Sequence, residues 1–433
     1  MTGHALLASI LLLATFLQGQ NTGAPQLACR WQAEITATRD GVEERYPVPF
    51  VLQVEASGEG LRAALVNGSS RVEFSSVLQQ GRELTLRLDQ YDAAMTLHCA
   101  SERCEKLEGE YVRRKGKIEA HYPVVATCAT QHDTQPNTQL KTQPKEPSAA
   151  LTSPELTGSW HFDFTNPDGS KPESEAEAPG SFAQQGHHVE GTIAPISGDY
   201  GMLSGNVDQG GVHLSRFDGV HLLRMDGRVV SENRIEGVFH ERAGTALNFV
   251  ATRTATAEGF AEAERTTTVA DAGEPFRFHG TDAEGKEVTE SDPRFHGKVV
   301  LIDIFGTWCP NCHDEAPLLA SLYEQYHAKG LEIVGLDYEY VNDPERSRRL
   351  ISVYRKKYNI TFPLLLAGTT DPGDVEKSLP QLRHFGAFPT TIFLDRHGRV
   401  HIVHTGFSGP ATGRLDELKE HFRQTVEKLL AEP

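Results

Sequence analysis

The sequence is short of positive charge, of long apolar runs and of cysteine, and each shortage narrows what the chain can do. Lys and Arg number 42 against 59 Asp and Glu, a formal net charge of −17. That balance argues against nucleic acid and against an anionic membrane surface, and favours a soluble protein. The one dense basic cluster, Arg113–Lys117 (RRKGK), reads as a solvated turn. The apolar block Ala5–Leu17 falls short of the roughly 20 residues a membrane-spanning helix needs. Cysteine occurs six times in 433 residues, as Cys29, Cys99, Cys104 and Cys128 in the N-terminal third and as Cys309 and Cys312 far downstream.

What is present fits an exported, multidomain chain. The length suggests about three domains, and 38% hydrophobic residues are enough for real cores. An apolar block at the start followed by polar residues is the pattern of a secretory signal over 1–22. Outside the cytosol disulfides persist. Four cysteines allow three pairings. Cys29 with Cys128 closes the N-terminal region end to end and Cys99 with Cys104 clips a short turn, which is the preferred pairing.

Residues 27–128 alternate in short runs, such as "VLQVEA" and "LTLRL", between Gly, Asn and Ser turns, and predict an all-β domain. Residues 129–153 are rich in Gln, Thr and Pro and read as a linker. A second all-β domain is predicted over 154–255. Trp31 and Trp160 are 129 residues apart, and Gly109 and Gly237 are 128 apart, a spacing consistent with a tandem repeat of one β unit. After a second linker, 256–270, residues 271–433 change to alternating strand and helix. "KVVLIDIF" is a buried strand, a helix follows from residue 310, and a last amphipathic helix carries Leu415, Leu418, Phe422, Val426 and Leu429 at helical spacing.

The chemistry gathers at "GTWCPNCH", Gly306–His313. Pro310 suits the first helical position, where a missing N–H costs nothing. Cys309 is then the N-cap, with a sulfur able to accept hydrogen bonds from the first turn. The cap and the positive helix end favour thiolate over thiol, so Cys309 is the expected nucleophile. Cys312, one turn further in, is the expected resolving thiol. Asp303 interrupts the apolar strand six residues before Cys309. A buried, unpaired carboxylate there titrates high and can take the proton of Cys312; the plainer alternative is an Asp facing solvent or bonded to backbone. Glu315 follows Cys312 by three residues on the same helical face, where it either tunes the pair or only complements the helix dipole.

These residues carry a resemblance. "VLIDIFGTWCPNCHDEAP" resembles the active-site segment of the thioredoxin superfamily, in particular the envelope thiol–disulfide oxidoreductases of the TlpA/ResA kind, where G-T-W-C-x-x-C-x-x-E is typical. Asp303 stands where thioredoxin has a buried Asp and where TlpA/ResA-type proteins often have Asn. Pro317 matches the proline that kinks the active-site helix. "GAFPTTIFLDRHGRV" is similar to the segment of the cis-proline, which would be Phe388-Pro389. The resemblance spans about residues 270–433 and implies a thioredoxin-like fold. It also implies that Trp308, Phe388 and Pro389 bind the substrate, that protein thiols and disulfides are the partners along with an upstream redox partner, and that no cofactor or metal is needed.

Other readings compete. C-x-x-C-H also attaches c-type haem, but residues 271–433 contain no Met to serve as second axial ligand, although a His could. In that region there is no second cysteine pair for zinc. A peroxide reductase of the peroxiredoxin kind would carry Pro-x-x-x-Thr-x-x-Cys, which is absent around Cys309. A β-domain binding or scaffold protein with an accessory redox module is the reading of a different class. With haem set aside, His313 is expected to be exposed and, as a cation, to favour the thiolate. The reading is therefore an exported, periplasmic or envelope thiol–disulfide oxidoreductase, a TlpA-like disulfide reductase. It joins two N-terminal all-β units to an α/β thioredoxin-like domain and has no membrane span in the mature chain.

Overall fold

A computed structural model describes residues 27–38, 45–58, 60–129, 154–172, 175–242, 245–255 and 263–433. The signal read over 1–22 and nearly all of the linker 129–153 lie outside the described residues.

The first β unit is a nine-stranded antiparallel sheet. Its first strand, Cys29–Thr38, lies between Arg45–Ser57 and the last strand, Ile118–Cys128. Pairing first to last curls the sheet, and it stays open between the short edge strands Ser70–Glu73 and Ser76–Gln80. The second unit repeats this plan and closes it. Eight strands from Gly158–Thr165 to Thr245–Thr254 form a barrel, the first again paired to the last. Along Gly158–Thr165 inward residues alternate with outward ones, as a barrel strand requires.

The paired signals of the sequence hold equivalent places. Trp31 Nε1 donates to the Leu27 carbonyl at 3.1 Å and Trp160 Nε1 to the Leu156 carbonyl at 2.9 Å, each reaching back four residues. Gly109 and Gly237 sit on the next-to-last strand of their units. A Cβ at either would press on a neighbouring strand's carbonyl, Thr96 or Asp226. The barrel interior is filled, with Phe162 against Phe182 and Phe249 at ring separations of 6.1 and 5.4 Å. The two β units share a core, since Phe217 and Leu222 of the barrel pack among the first unit's apolar residues. Asn67 exchanges two hydrogen bonds with the Phe217 backbone, at 2.9 and 3.0 Å.

In the first unit Cys29 is bonded to Cys128 and Cys99 to Cys104, with Cα separations of 5.9 and 4.8 Å. Cys309 and Cys312 are free thiols.

The C-terminal domain is a seven-stranded mixed sheet. Its site-bearing elements are β1 (Val299–Phe305), α1 (Pro310–Tyr326), β2 (Leu331–Glu339), α2 (Pro344–Tyr358), β3 (Leu364–Thr369), β4 (Thr390–Leu394), β5 (Val400–Thr405) and α3 (Leu415–Ala431). β1 pairs parallel with β2 and antiparallel with β4. Being central, β1 is buried along its whole length, which is why it reads as a continuous apolar run. One face, with Leu301, Phe305, Leu331 and Phe393, packs under α1, α2 and α3. The other, with Ile302, Ile304 and Leu336, packs on Phe276, Phe278 and Leu379. Thr268–Val269, which the sequence puts in the second linker, pairs with Leu382–Arg383 and so belongs to this domain.

Candidate active site

The site forms where β1 ends and α1 begins. Cys309 is the N-cap residue of α1, in an extended conformation, with Pro310 next. Its Sγ accepts the Cys312 backbone N–H at 3.3 Å and points its own S–H at the Phe388 carbonyl, 3.5 Å away. The Phe388–Pro389 peptide bond is cis. Two segments 79 residues apart thus meet at one sulfur. Trp308 is held by its Nε1, 2.8 Å from the Tyr338 carbonyl, and packs on Tyr340 and Phe388. Pro317 lies inside α1.

Beneath the dithiol is a set of buried acids. Alternation along β1 and β2 puts Asp303, Asp337 and Glu339 on the face under α1. Asp303 is 3% exposed, so it does not face solvent, and its Oδ1 has no partner among the described residues. Burial pushes it well above the usual carboxylate range, and Glu315 and Cys309 add to this. Glu315 is buried too, so dipole complementarity at an exposed first turn does not describe it. Its Oε1 accepts the Thr391 hydroxyl at 2.8 Å, Oε2 is unpartnered, and burial raises it to about 7. Burial, the Cys309 contact and Asp303 push the Cys312 thiol up. Burial therefore disfavours the anions of Cys312, Asp303 and Glu315, so a carboxylate that is ionised here is a strong base toward the Cys312 proton.

Asp337 and Glu339 were not singled out from the sequence. Burial and Glu339 raise Asp337, while Glu339 receives the Thr307 backbone N–H at 3.2 Å. The signal was there: acids inside an apolar strand, "LEIVGLDYE", the same cue that drew attention to Asp303.

His313 corrects the sequence reading. It is 5% exposed rather than exposed, and both ring nitrogens are engaged, with the Tyr358 hydroxyl and the Thr307 carbonyl, each at 2.8 Å. Burial pushes it down to about 3, so it is neutral and cannot act as a cation beside the thiolate. In the basic cluster Arg113–Lys117, Arg114, Lys115 and Lys117 are exposed, as a solvated turn requires, while Gly116 is buried. The turn packs on the C-terminal domain, with Lys115 Nζ 4.7 Å from the Tyr340 ring centroid.

A buried strand, an N-capping cysteine with a second thiol one turn on, and a cis-proline loop against the first sulfur define a thioredoxin-like domain. Residues 272–403 match the AhpC/TSA family. The thiol-disulfide oxidoreductase ResA of Halalkalibacterium halodurans is 29% identical over 161 residues, 36% of this chain and 78% of that protein. ResA of Geobacillus kaustophilus is 30% identical over 126 residues, 29% of this chain and 64% of that protein. The crystal structure of a putative thiol:disulfide interchange protein DsbE from Chlorobium tepidum aligns at 21% identity and a TM-score of 0.28, covering 36% of this chain and 94% of that one; a likeness that low decides nothing. The C-terminal domain is thioredoxin-like and is similar in sequence to the ResA thiol–disulfide oxidoreductases. The curated matches cover about a third of the chain. Among the described residues no helix is long and apolar enough to cross a membrane.

Proposed function

We propose that the chain is an exported disulfide reductase that acts on protein substrates through Cys309 and Cys312. The observation that carries this is the free thiol pair at the start of α1, with Asp303, whose Oδ1 is unpartnered among the described residues, buried on the sheet face beneath it. The Cys309 thiolate attacks one sulfur of a substrate disulfide. That S–S bond breaks, the other substrate sulfur leaves as a thiolate and takes up a proton, and a mixed disulfide forms. Cys312 gives its proton to Asp303 and attacks Cys309 Sγ, breaking the mixed disulfide. The second substrate sulfur leaves as a thiolate and takes up a proton, Asp303 giving up the one it received, so the substrate departs as a dithiol with two electrons and Cys309–Cys312 is left oxidised until an upstream dithiol donor reduces it. Trp308, Phe388 and Pro389 are the surface on which the substrate backbone lies. Glu315 sets the charge beneath the dithiol. Export is supported by the two disulfides of the first β unit, which persist outside the cytosol.

Two measurements test this. The Cys309–Cys312 potential against a glutathione series should fall near that of thioredoxin, about −270 mV; a value near −120 mV would overturn the reductase direction, and one below about −300 mV would make the pair a structural disulfide. Cys309→Ser should abolish reduction of a protein disulfide. The AhpC/TSA match favours a second reading, peroxide reduction, and turnover of hydrogen peroxide faster than of disulfides would establish it. If Cys309→Ser changes neither partner binding nor phenotype, the β units are the function and the redox module is accessory.

A further inference from the structure

The dithiol is covered. Cys309 is 5% exposed and Cys312 1%, although the proposed reaction needs Cys309 to meet a sulfur on another protein. Beside it lies a barrel segment, the connection between strands His188–Ile193 and Leu203–Asp208. Gly198 of this connection has φ +121°, and a Cβ there would lie 2.2 Å from Nδ2 of Asn311, the residue between the two cysteines. Gly406 has φ +77°, and a Cβ on it would lie 2.4 Å from the Ile196 carbonyl oxygen. Such close approach is available only to glycine. Gly406 also donates its N–H to the Pro389 carbonyl at 2.8 Å, so the barrel segment touches both the CPNC turn and the support of the cis-proline loop.

Asp199 fastens the segment. Its N–H donates to the Phe407 carbonyl at 3.2 Å, and its Oδ2 accepts the Gly409 N–H at 2.5 Å. On the other side of the site, the Lys115–Gly116 turn of the first β unit lies against Tyr340 and Val341, and Tyr340 packs on Trp308. The contact with the barrel is polar: Asp199, Arg216 and Asp314 meet there, and Arg216 Nε pairs with Asp218 at 2.9 Å. Polar contacts between domains of one chain favour relative motion over permanent burial.

We propose that barrel segment 194–202 is an internal occupant of the substrate face, so that a protein disulfide reaches Cys309 only when the segment lifts. This rests on the oxidoreductase reading for its purpose but not for its test. In the reduced full-length protein, Asp199→Ala removes the side-chain half of the fastening, and Gly406→Ala wedges the segment away at the Ile196 carbonyl. Each should speed alkylation of Cys309 by iodoacetamide by about ten- to a hundredfold, because the rate follows the open population. The fold is checked by far-ultraviolet circular dichroism. Folded variants that alkylate at the wild-type rate overturn the proposal. Should both variants unfold, wild type decides: Cys309 alkylation and hydrogen exchange at the Asp199 amide must report one opening equilibrium, and alkylation far ahead of that opening overturns the cover. Faster alkylation with a parallel gain in reduction of insulin supports both readings. Faster alkylation with no disulfide turnover in any form keeps the cover and removes the oxidoreductase reading.

Discussion

The Thr391 hydroxyl donates to Glu315 Oε1 at 2.8 Å, while Glu315 Oε2 has no partner among the described residues. This bond joins the strand after the cis-proline to the helix of the dithiol, 76 residues apart in sequence. It leaves half a carboxylate buried beneath a reactive sulfur, and its consequence is a pH dependence.

Burial raises Glu315 from 4.5 to about 7, so the folded chain keeps a proton there that the unfolded chain releases. Stability from this group is full below about pH 4.5 and is lost as the pH rises to about 7, a change on the order of 3 kcal/mol. Glu315→Gln removes that titration. Its urea midpoint should gain on wild type between about pH 5 and pH 8; parallel curves would show that Glu315 is ionised in the fold at both.

Asp303→Asn should leave Cys309 alkylation unchanged and slow the attack of Cys312 on the mixed disulfide by about 10²–10⁴-fold, the usual size of a lost general base. Quenched-flow trapping of the Cys309 mixed disulfide reads the step directly. Unchanged resolution would remove Asp303 from the proton path.

Asp92 of the first β unit accepts from Arg346 at 2.9 Å and Arg349 at 3.3 Å, both on α2. Burial alone would raise Asp92, but the hydrogen bonds and charges of the two arginines outweigh it and hold it below the usual value of 3.8. Its contribution is therefore present above about pH 4 and lost as the pH falls through the lowered value. Asp92→Ala leaves Arg346, itself 10% exposed, without its carboxylate. It should cost about 1–3 kcal/mol and separate the unfolding of the β units from that of the C-terminal domain in calorimetry. A single unshifted transition would show that other contacts hold the interface.

Removing the Cys29–Cys128 bond, which closes a separation of 99 residues, should cost about 4–5 kcal/mol by loop entropy; removing Cys99–Cys104, with a separation of 5, should cost about 2 kcal/mol. Urea unfolding of paired Cys→Ala variants checks the order, and equal losses would point to strain or packing rather than chain closure.

Much of the site was legible because its physics is local. Pro310 makes Cys309 an N-cap within the span of one helical turn, and Asp303 stands out because every neighbour on its strand is apolar. Trp31 and Trp160 marked two related β units because each makes a bond reaching only four residues back.

What the sequence could not show depends on contacts between distant segments. His313 is part of a motif that reads as exposed, yet Tyr91 of the first β unit packs edge-on to its ring at 5.0 Å, and burial lowers its pKa to about 3. The cluster Arg113–Lys117 reads as a solvated turn, and nothing in its pattern tells that Lys115 lies over Tyr340 of the C-terminal domain. Asp199 carries no motif, and its partner Gly409 is 210 residues away. By itself the sequence determined that Cys309 caps a helix and that Asp303 lies in a buried strand, since helix capping and strand burial are settled within a few residues. Only the tertiary structure decided that the barrel meets the C-P-N-C turn at Asn311, because docking of the β units depends on surface shape and on backbone hydrogen bonds that no local pattern encodes.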